Sequence, residues 1–293
     1  NLQWNRGNNR FTEAGQFAEV YATDWSWAAV WMDFDNDGLK DLFVSNGIPK
    51  RMNDIDYVNF VTNDELQQKL RTNTLQENDM KLVEKFPEIK LPNQFFSNRG
   101  NLNFSNLADS VSSNPLTFSN GTVYADLDND GDLDLVVNNI NDEALIYQNK
   151  TNDDKQSAYT SVQLKGDTSN INAVGSKLIL FAGAELRTYE NFPVHGFLSS
   201  MQLPLHIGMS NTTIDSAFLV WPDNSFQKIQ LKKDTTLSFT YREGLPQFDY
   251  YIIHRWNKRT ITVTEISSNL KFNFTHIENQ FNEFDREPLI PHM

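Results

Sequence analysis

The chain has 293 residues, 39% apolar and 12% aromatic, enough for one large or two ordinary domains with a buried core. A net charge of −13 with no basic patch makes it a poor candidate for binding a nucleic-acid backbone. The absence of cysteine excludes thiol catalysis, cysteine metal sites and disulfides, and no apolar run approaches the length of a membrane helix. The first residue is Asn1 and no signal-peptide pattern is visible, so the chain reads as a piece of something longer.

Two segments open the chain. "NRGNNRF" runs from Asn5 to Phe11, and "AAVWMDF" leads into "DFDNDGLKD", Asp33 to Asp41. Carboxylates crowded at alternate positions repel one another, and a hard cation with oxygen ligands removes the conflict. Asp33, Asp35 and Asp37 offer side-chain oxygens, Leu39 its carbonyl, and Asp41 closes the sphere. Gly38 at the sixth position permits the sharp turn. The helix-loop-helix type of calcium site wants Glu at the twelfth position, where this chain has Val44. The flanks "AAVWMDF" and "LKDLFVSN" read instead as strands, so the loop joins a hairpin.

An insertion follows, over about residues 48–91. "TNDE" (Thr62 to Glu65) has the spacing of a capping box, and Leu66, Leu70, Met80, Val83 and Phe86 fall roughly on a helical period that Pro87 ends. The expectation is a helical excursion over one face of the fold, with a ligand-contacting lid as the second reading.

Then the opening pattern returns. "NRGNLNF" (Asn98 to Phe104) and "DLDNDGDLD" (Asp126 to Asp134) each lie 93 positions after their first copies. Ser26 and Ser119, Val30 and Val123, and Asn46 and Asn139 keep that offset. The second loop offers Asp126, Asp128, Asp130, Asp132 and Asp134 around Gly131, between "GTVYADL" and "LDLVVNN", with Val137 at its twelfth position. A shorter beat of 51 residues separates "FFSN", ending at Asn98, from "IYQN", ending at Asn149. A unit of this length with several short strands suits a propeller blade, the first copy carrying the insertion. Two Ca2+ sites are expected.

From Ser157 to Tyr241 short strands alternate with turns ("SVQL", "SKLILF", "AFLVW", "LSFTY"), an all-β module.

The loops, the "NRGNxxF" element and the 51-residue unit resemble FG-GAP (VCBS-type) repeats of integrin-like propellers, over about Asn1 to Asn149. "NAVGSKLILFAG", "HGFLSSMQLPLHIGMS" and "AFLVWPDNSFQKI" resemble, in that order, the ASPIC/UnbV domain, with Ser225 where that family usually has Gly. The fold class expected is mainly β: a partial β-propeller of FG-GAP-type blades with a helical insertion over 1–155, then an all-β ASPIC/UnbV-like domain over 156–243. Residues 244–293 are read as a linker and the start of a further propeller segment. The resemblance implies a non-enzymatic calcium-binding scaffold, extracellular or on a bacterial outer-membrane surface. Its partner would be an extracellular protein or glycan, with no nucleic acid and no membrane span, and further chain would complete the propeller.

The alternative is part of a calcium-dependent carbohydrate-active enzyme or glycan-binding module. It needs an open ion site with basic residues nearby, and the loops themselves hold only Lys40. His206 in "PLHIGMS" reads as a hydrogen-bonded structural histidine, and His195 beside two serines is a weak candidate for a Ser–His pair. Trp25, Trp27 and Trp31 are expected to pack between blades rather than to offer a sugar-stacking face.

Overall fold

The computed structural model describes residues 1–7, 9–50, 55, 58–59, 62–74, 76, 88–210, 213–256, 266–267, 269–270 and 275. Residues 1–248 form one compact unit and 249–293 a second.

The first unit is β throughout its core. It opens with a fully exposed hairpin, β1 (Gln3–Gly7) and β2 (Arg10–Glu13). A four-stranded antiparallel sheet follows in chain order: β3 (Ser26–Met32), β4 (Asp41–Asn46), β5 (Gln94–Asn98) and β6 (Phe104–Asn106). A three-stranded sheet comes next, of β7 (Ser119–Ala125), β8 (Asp134–Asn139) and β9 (Leu145–Tyr147). Both are meanders, as propeller blades are.

The 93-residue repeat is a repeat of register. Ser26 pairs Asn46, Val30 pairs Phe43 and Met32 pairs Asp41; in the second sheet Ser119 pairs Asn139, Val123 pairs Val136 and Ala125 pairs Asp134. Both hairpins carry an irregularity after the serine. Strand β4 is buried along its whole length because both its faces are covered. Leu42 and Val44 pack with Ala18, Val20, Phe96 and Phe104. Phe43 points the other way, into a cluster with Met32, Phe95, Leu133, Leu135 and Val137 that joins the two blades.

The insertion holds α1 (Asp64–Arg71), with no buried residue and Leu70 half exposed. Its cap differs from the expected box. Asn63 is the N-cap and its Oδ1 accepts from the Glu65 N–H at 2.9 Å, while the Thr62 hydroxyl donates to the Val58 carbonyl at 2.7 Å. Asn is as good an N-cap as Thr or better, so the turn starts one residue later. Met80, Val83, Phe86 and Pro87 lie outside the described residues.

The remainder of this unit is a two-sheet module. One sheet has the order β13–β10–β16, from β10 (Tyr159–Lys165), β13 (Leu205–Gly208) and β16 (Thr235–Thr240), with β10 and β16 parallel. The other has the order β12–β11–β14–β15, from β11 (Lys177–Ala182), β12 (Glu185–Glu190), β14 (Ser216–Val220) and β15 (Phe226–Ile229). Val162, Leu178, Leu180, Ile207, Leu219 and Trp221 fill the space between them. The outer face of β11 and β14 is closed by rings of Phe181, Phe218, Phe226 and Phe248. At Ser225 the departure from the family pattern is absorbed one residue earlier, since Asn224 takes the left-handed conformation (φ 64°). The Ser225 N–H and hydroxyl both donate to Asp223 Oδ1.

The second unit shows a short helix, α2 (Tyr251–Trp256), with the Tyr251 N–H bonded to Asp249 Oδ1. The remaining tail, read as the opening of another propeller segment, lies almost wholly outside the described residues.

Candidate metal centres

Each acidic loop is the connection between the first two strands of a blade, β3–β4 and β7–β8. The alternating aspartates converge. Carboxylate oxygens of Asp33, Asp35 and Asp37 lie within 4.8 Å of one another, and so do those of Asp126, Asp128 and Asp130. Both turns are formed in the same way. Gly38 and Gly131 sit at φ 87° and 96°, and the first carboxylate of each loop accepts from that glycine's N–H, at 2.8 Å for Asp33 and 3.2 Å for Asp126.

The ninth position of each loop is a clamp. Both oxygens of Asp41 accept backbone N–H groups, from Phe34 at 2.7 Å and Asn98 at 2.6 Å. Asp134 does the same with Leu127 at 2.9 Å and Asn149 at 2.8 Å. The asparagines 51 residues apart are therefore equivalent parts of two clamps that tie each loop to the third strand of its blade. Leu39, at the seventh position, gives its N–H to Asp37 Oδ1. Its counterpart Asp132 turns its side chain away from the triad, to accept the Asn152 N–H at 2.8 Å.

The electrostatics of both loops are those of a site that could hold a cation. Burial, together with the charges of Asp41, Asp37 and Asp35, pushes Asp33 up to about 8, and burial pushes Asp41 and Asp132 each up to about 7. Asp35, Asp126 and Asp130 are also raised, chiefly by burial. In the second loop Asp126 Oδ1 and Asp130 Oδ2 are buried with no hydrogen-bond donor, as is Asp132 Oδ1. Buried acceptors of this kind are costly unless a donor or ion reaches them. Three convergent carboxylates with unbonded buried oxygens fit a hard, oxygen-seeking divalent ion.

The fold also brings to the first loop residues that its sequence did not announce. Arg99 Nη1 stands 3.9 Å from Asp35 Oδ2, and Arg187 Nη1 donates to the Asp37 carbonyl at 3.5 Å while pairing with Glu185. Asn36 is fully buried and His206 Nε2 lies 2.7 Å from its Oδ1. The Asn36 amide group donates to the Gly131 carbonyl at 2.9 Å, so its Oδ1 is the acceptor facing His206, whose Nε2 carries the proton. His206 stacks on Tyr159 with centroids 5.6 Å apart, and burial lowers its pKa to about 4, so it stays neutral. This is the hydrogen-bonded structural role expected for it.

His195 forms no pair with a serine hydroxyl among the described contacts. The Ser199 hydroxyl donates to the Phe197 carbonyl and accepts the Thr122 N–H, and the His195 ring lies 6.2 Å from that of Tyr124. The tryptophans differ from expectation. Trp27 packs at a tilt against Phe197 of the two-sheet module, centroids 4.6 Å apart, and donates to the Gly47 carbonyl. Trp31 is 37% exposed and leans on Phe104 of its own blade. Alternation along β3 buries Ala28, Val30 and Met32 and turns the tryptophans outward.

Residues 1–44 match the FG-GAP-like repeat family and residues 166–245 match the ASPIC and UnbV family. No curated protein matches the chain. The first match ends inside β4, so the second loop joins the repeat through its shared register and clamp. An FG-GAP-like repeat carrying the first acidic loop, followed by an ASPIC/UnbV domain, is thus the architecture of this chain.

Proposed function

We propose that the chain is a calcium-stabilised, non-catalytic scaffold that works outside the cell, on a bacterial surface, in adhesion or ligand binding. The observation that carries this reading is the pair of carboxylate triads set into hairpin turns, with buried oxygens that lack donors in the second. Asp33, Asp35, Asp37 and the Leu39 carbonyl would hold one Ca2+, and Asp126, Asp128, Asp130 and the Asp132 carbonyl the other. Asp41 and Asp134 would close each site from the clamp position. A bound divalent charge offsets the repulsion among the carboxylates and locks strand connections that otherwise loosen. The FG-GAP-like and ASPIC/UnbV matches support a surface repeat protein. An extracellular protein or glycan is the partner this reading favours.

The enzymatic alternative asks for an exposed cation flanked by basic groups. Arg99 and Arg187 stand beside the first loop, but Asp33 is only 5% exposed there. A substrate oxygen has poor access to such an ion, which favours the structural role.

The test is a thermal melt in chelator and in millimolar calcium, with bound metal counted on the same sample. A clear stabilisation with two ions per chain is expected. No shift and no bound ion would overturn the proposal.

A further inference from the structure

The first loop is covered by the chain's own second module. Strand β13 and the two residues after it lie across the loop at three points. His206 Nε2–H donates to Asn36 Oδ1, and the Ser210 N–H donates to the Asn36 carbonyl at 2.9 Å. Between them Gly208 presses so close that an added Cβ would run into Asp33 Oδ2 and would meet the Asn36 carbonyl carbon at 2.5 Å and its oxygen at 2.6 Å. Asn36 meanwhile holds the left-handed conformation (φ 58°) on which the turn depends, and reaches across to the Gly131 carbonyl. One residue of the loop is thus fixed by the strand and by the neighbouring blade at once.

The second loop is not met by β13; what lies against it is the Tyr159 ring of β10, which an added Cβ at Gly131 would run into. Asn129, at the position matching Asn36, is exposed, and Asp126, Asp128 and Asp130 bond to Gly131, Gln148 and Asp132 rather than to β13.

We propose that the first acidic loop and the Leu205–Ser210 segment are one composite cation site, so that filling the loop and docking the ASPIC/UnbV module onto the blade favour each other. The inference rests on the cation reading above and goes beyond it by assigning the module's "LHIG" strand a part in that site. The strand supplies no oxygen to the ion. It holds Asn36 and the backbone beside Asp33 in place, so the carboxylates converge before the ion arrives and less conformational freedom is lost on binding. Coupling of this kind is reciprocal: whatever the strand adds to cation affinity, the cation adds to docking. His206 and Gly208 act as positioning residues for the first site and reach the second only indirectly, through the Asn36 bond to the Gly131 carbonyl.

The experiment uses the full chain stripped with chelator. Calcium is titrated by calorimetry with a two-site analysis, and amide hydrogen exchange is followed with and without calcium. In the native chain, calcium should slow exchange of the amides at 205–210. His206→Ala should weaken the first site by about tenfold, within the ~5–150-fold range of such couplings, and leave the second within about twofold. His206→Gln, which keeps an N–H able to face Asn36, should recover most of the loss. Two bound ions with unchanged exchange at 205–210, or a first-site affinity unmoved by His206→Ala, would overturn the coupling and leave the cation reading standing. Uptake of no calcium by the native chain would overturn both. Should His206→Ala fail to fold, the exchange comparison on the native chain decides alone.

Discussion

The two acidic loops have nearly the same residues, the same turn and the same clamp, and they live in different surroundings. Asn36 and Asp33 of the first are buried beneath β13, whereas of their counterparts in the second Asn129 faces solvent and Asp126 is only half-buried. The repeat therefore sets the local geometry of a loop and the fold decides what covers it. Local geometry comes from Asp–Asn–Asp–Gly spacing and strand register, which a duplication copies intact. Cover comes from a strand about 170 residues away in the chain, as in the contact of His206 with Asn36.

The sharpest way to break the comparison is at Gly208. Gly208→Ala forces a methyl group against the Asp33 carboxylate and against the Asn36 backbone, which cannot swing aside as a side chain could. A loss of about 3 kcal/mol is expected from overpacking at a site this tight, read from the denaturant midpoint. A change below about 1 kcal/mol would show that the strand does not bear tightly on the loop.

Proton linkage separates the loops next. In the folded chain without metal, burial pushes Asp33 up to about 8 and Asp41 to about 7 in the first loop, and Asp132 to about 7 in the second, all above the usual carboxylate value of 3.8. The folded state then holds protons that the unfolded state releases. The stability these groups contribute is fully present below pH ~4 and is lost as pH rises through about 7 to 8. In chelator the melting temperature should fall across that window. In excess calcium the slope should reverse over the acidic part of it, because the ion binds the ionised carboxylates and competes with protons. Removing the Asp33 carboxyl by Asp33→Asn should flatten the chelator profile more than Asp126→Asn, since the second loop's Asp126 is less buried. Equal profiles for the two variants would contradict the difference in cover.

Much of this was legible in the sequence, for a physical reason. The carboxylates and the glycine act within one turn, so spacing alone reports them, whereas Asn98 and Asn149 stood out only as the ends of a 51-residue beat. The 93-residue and 51-residue offsets became strand register and the two clamps, Asp41 with Asn98 and Asp134 with Asn149. What stayed hidden were contacts between distant segments. Nothing in the spacing connects His206 to Asn36, Arg187 to the Asp37 carbonyl, or Trp27 to Phe197. Asn36 and Asn129 were visible as a shared residue of both loops, yet their sequence context is the same and only the fold separates buried from exposed. The helix cap moved from Thr62 to Asn63 because two good capping residues stood side by side and the box pattern favoured the wrong one.

A pair of substitutions at those asparagines measures the cover directly. Both residues take a positive φ, so alanine costs each about 1 kcal/mol in backbone strain. Asn36→Ala in addition strips His206 Nε2–H and the buried Gly131 carbonyl of their partner, a further loss of about 1–3 kcal/mol. The difference between the two variants, from paired denaturation curves, isolates the hydrogen bonds made across the seam. If Asn129→Ala proved as costly as Asn36→Ala, the seam would hold no special stability.

The smallest expected effect concerns the ions themselves. Asp35→Ala and Asp128→Ala each remove one ligand from a triad while leaving the clamp and the turn glycine in place. At a calcium concentration about ten times the dissociation constant, a filled site adds only about 1.4 kcal/mol of stability. Each variant should therefore lower the melting temperature modestly in calcium and hardly at all in chelator. In chelator, loss of one repelling charge even offsets part of the lost packing. The loops should still differ in one respect. Asp35 stands near Arg99, so Asp35→Ala also leaves that guanidinium without its carboxylate, whereas Asp128 is held by the neutral Gln148 amide. Asp35→Ala should accordingly retain a slight penalty in chelator that falls with added salt, and Asp128→Ala should retain none. Equal penalties with and without calcium at both positions would mean that neither carboxylate serves an ion, and the two loops would then differ only in burial.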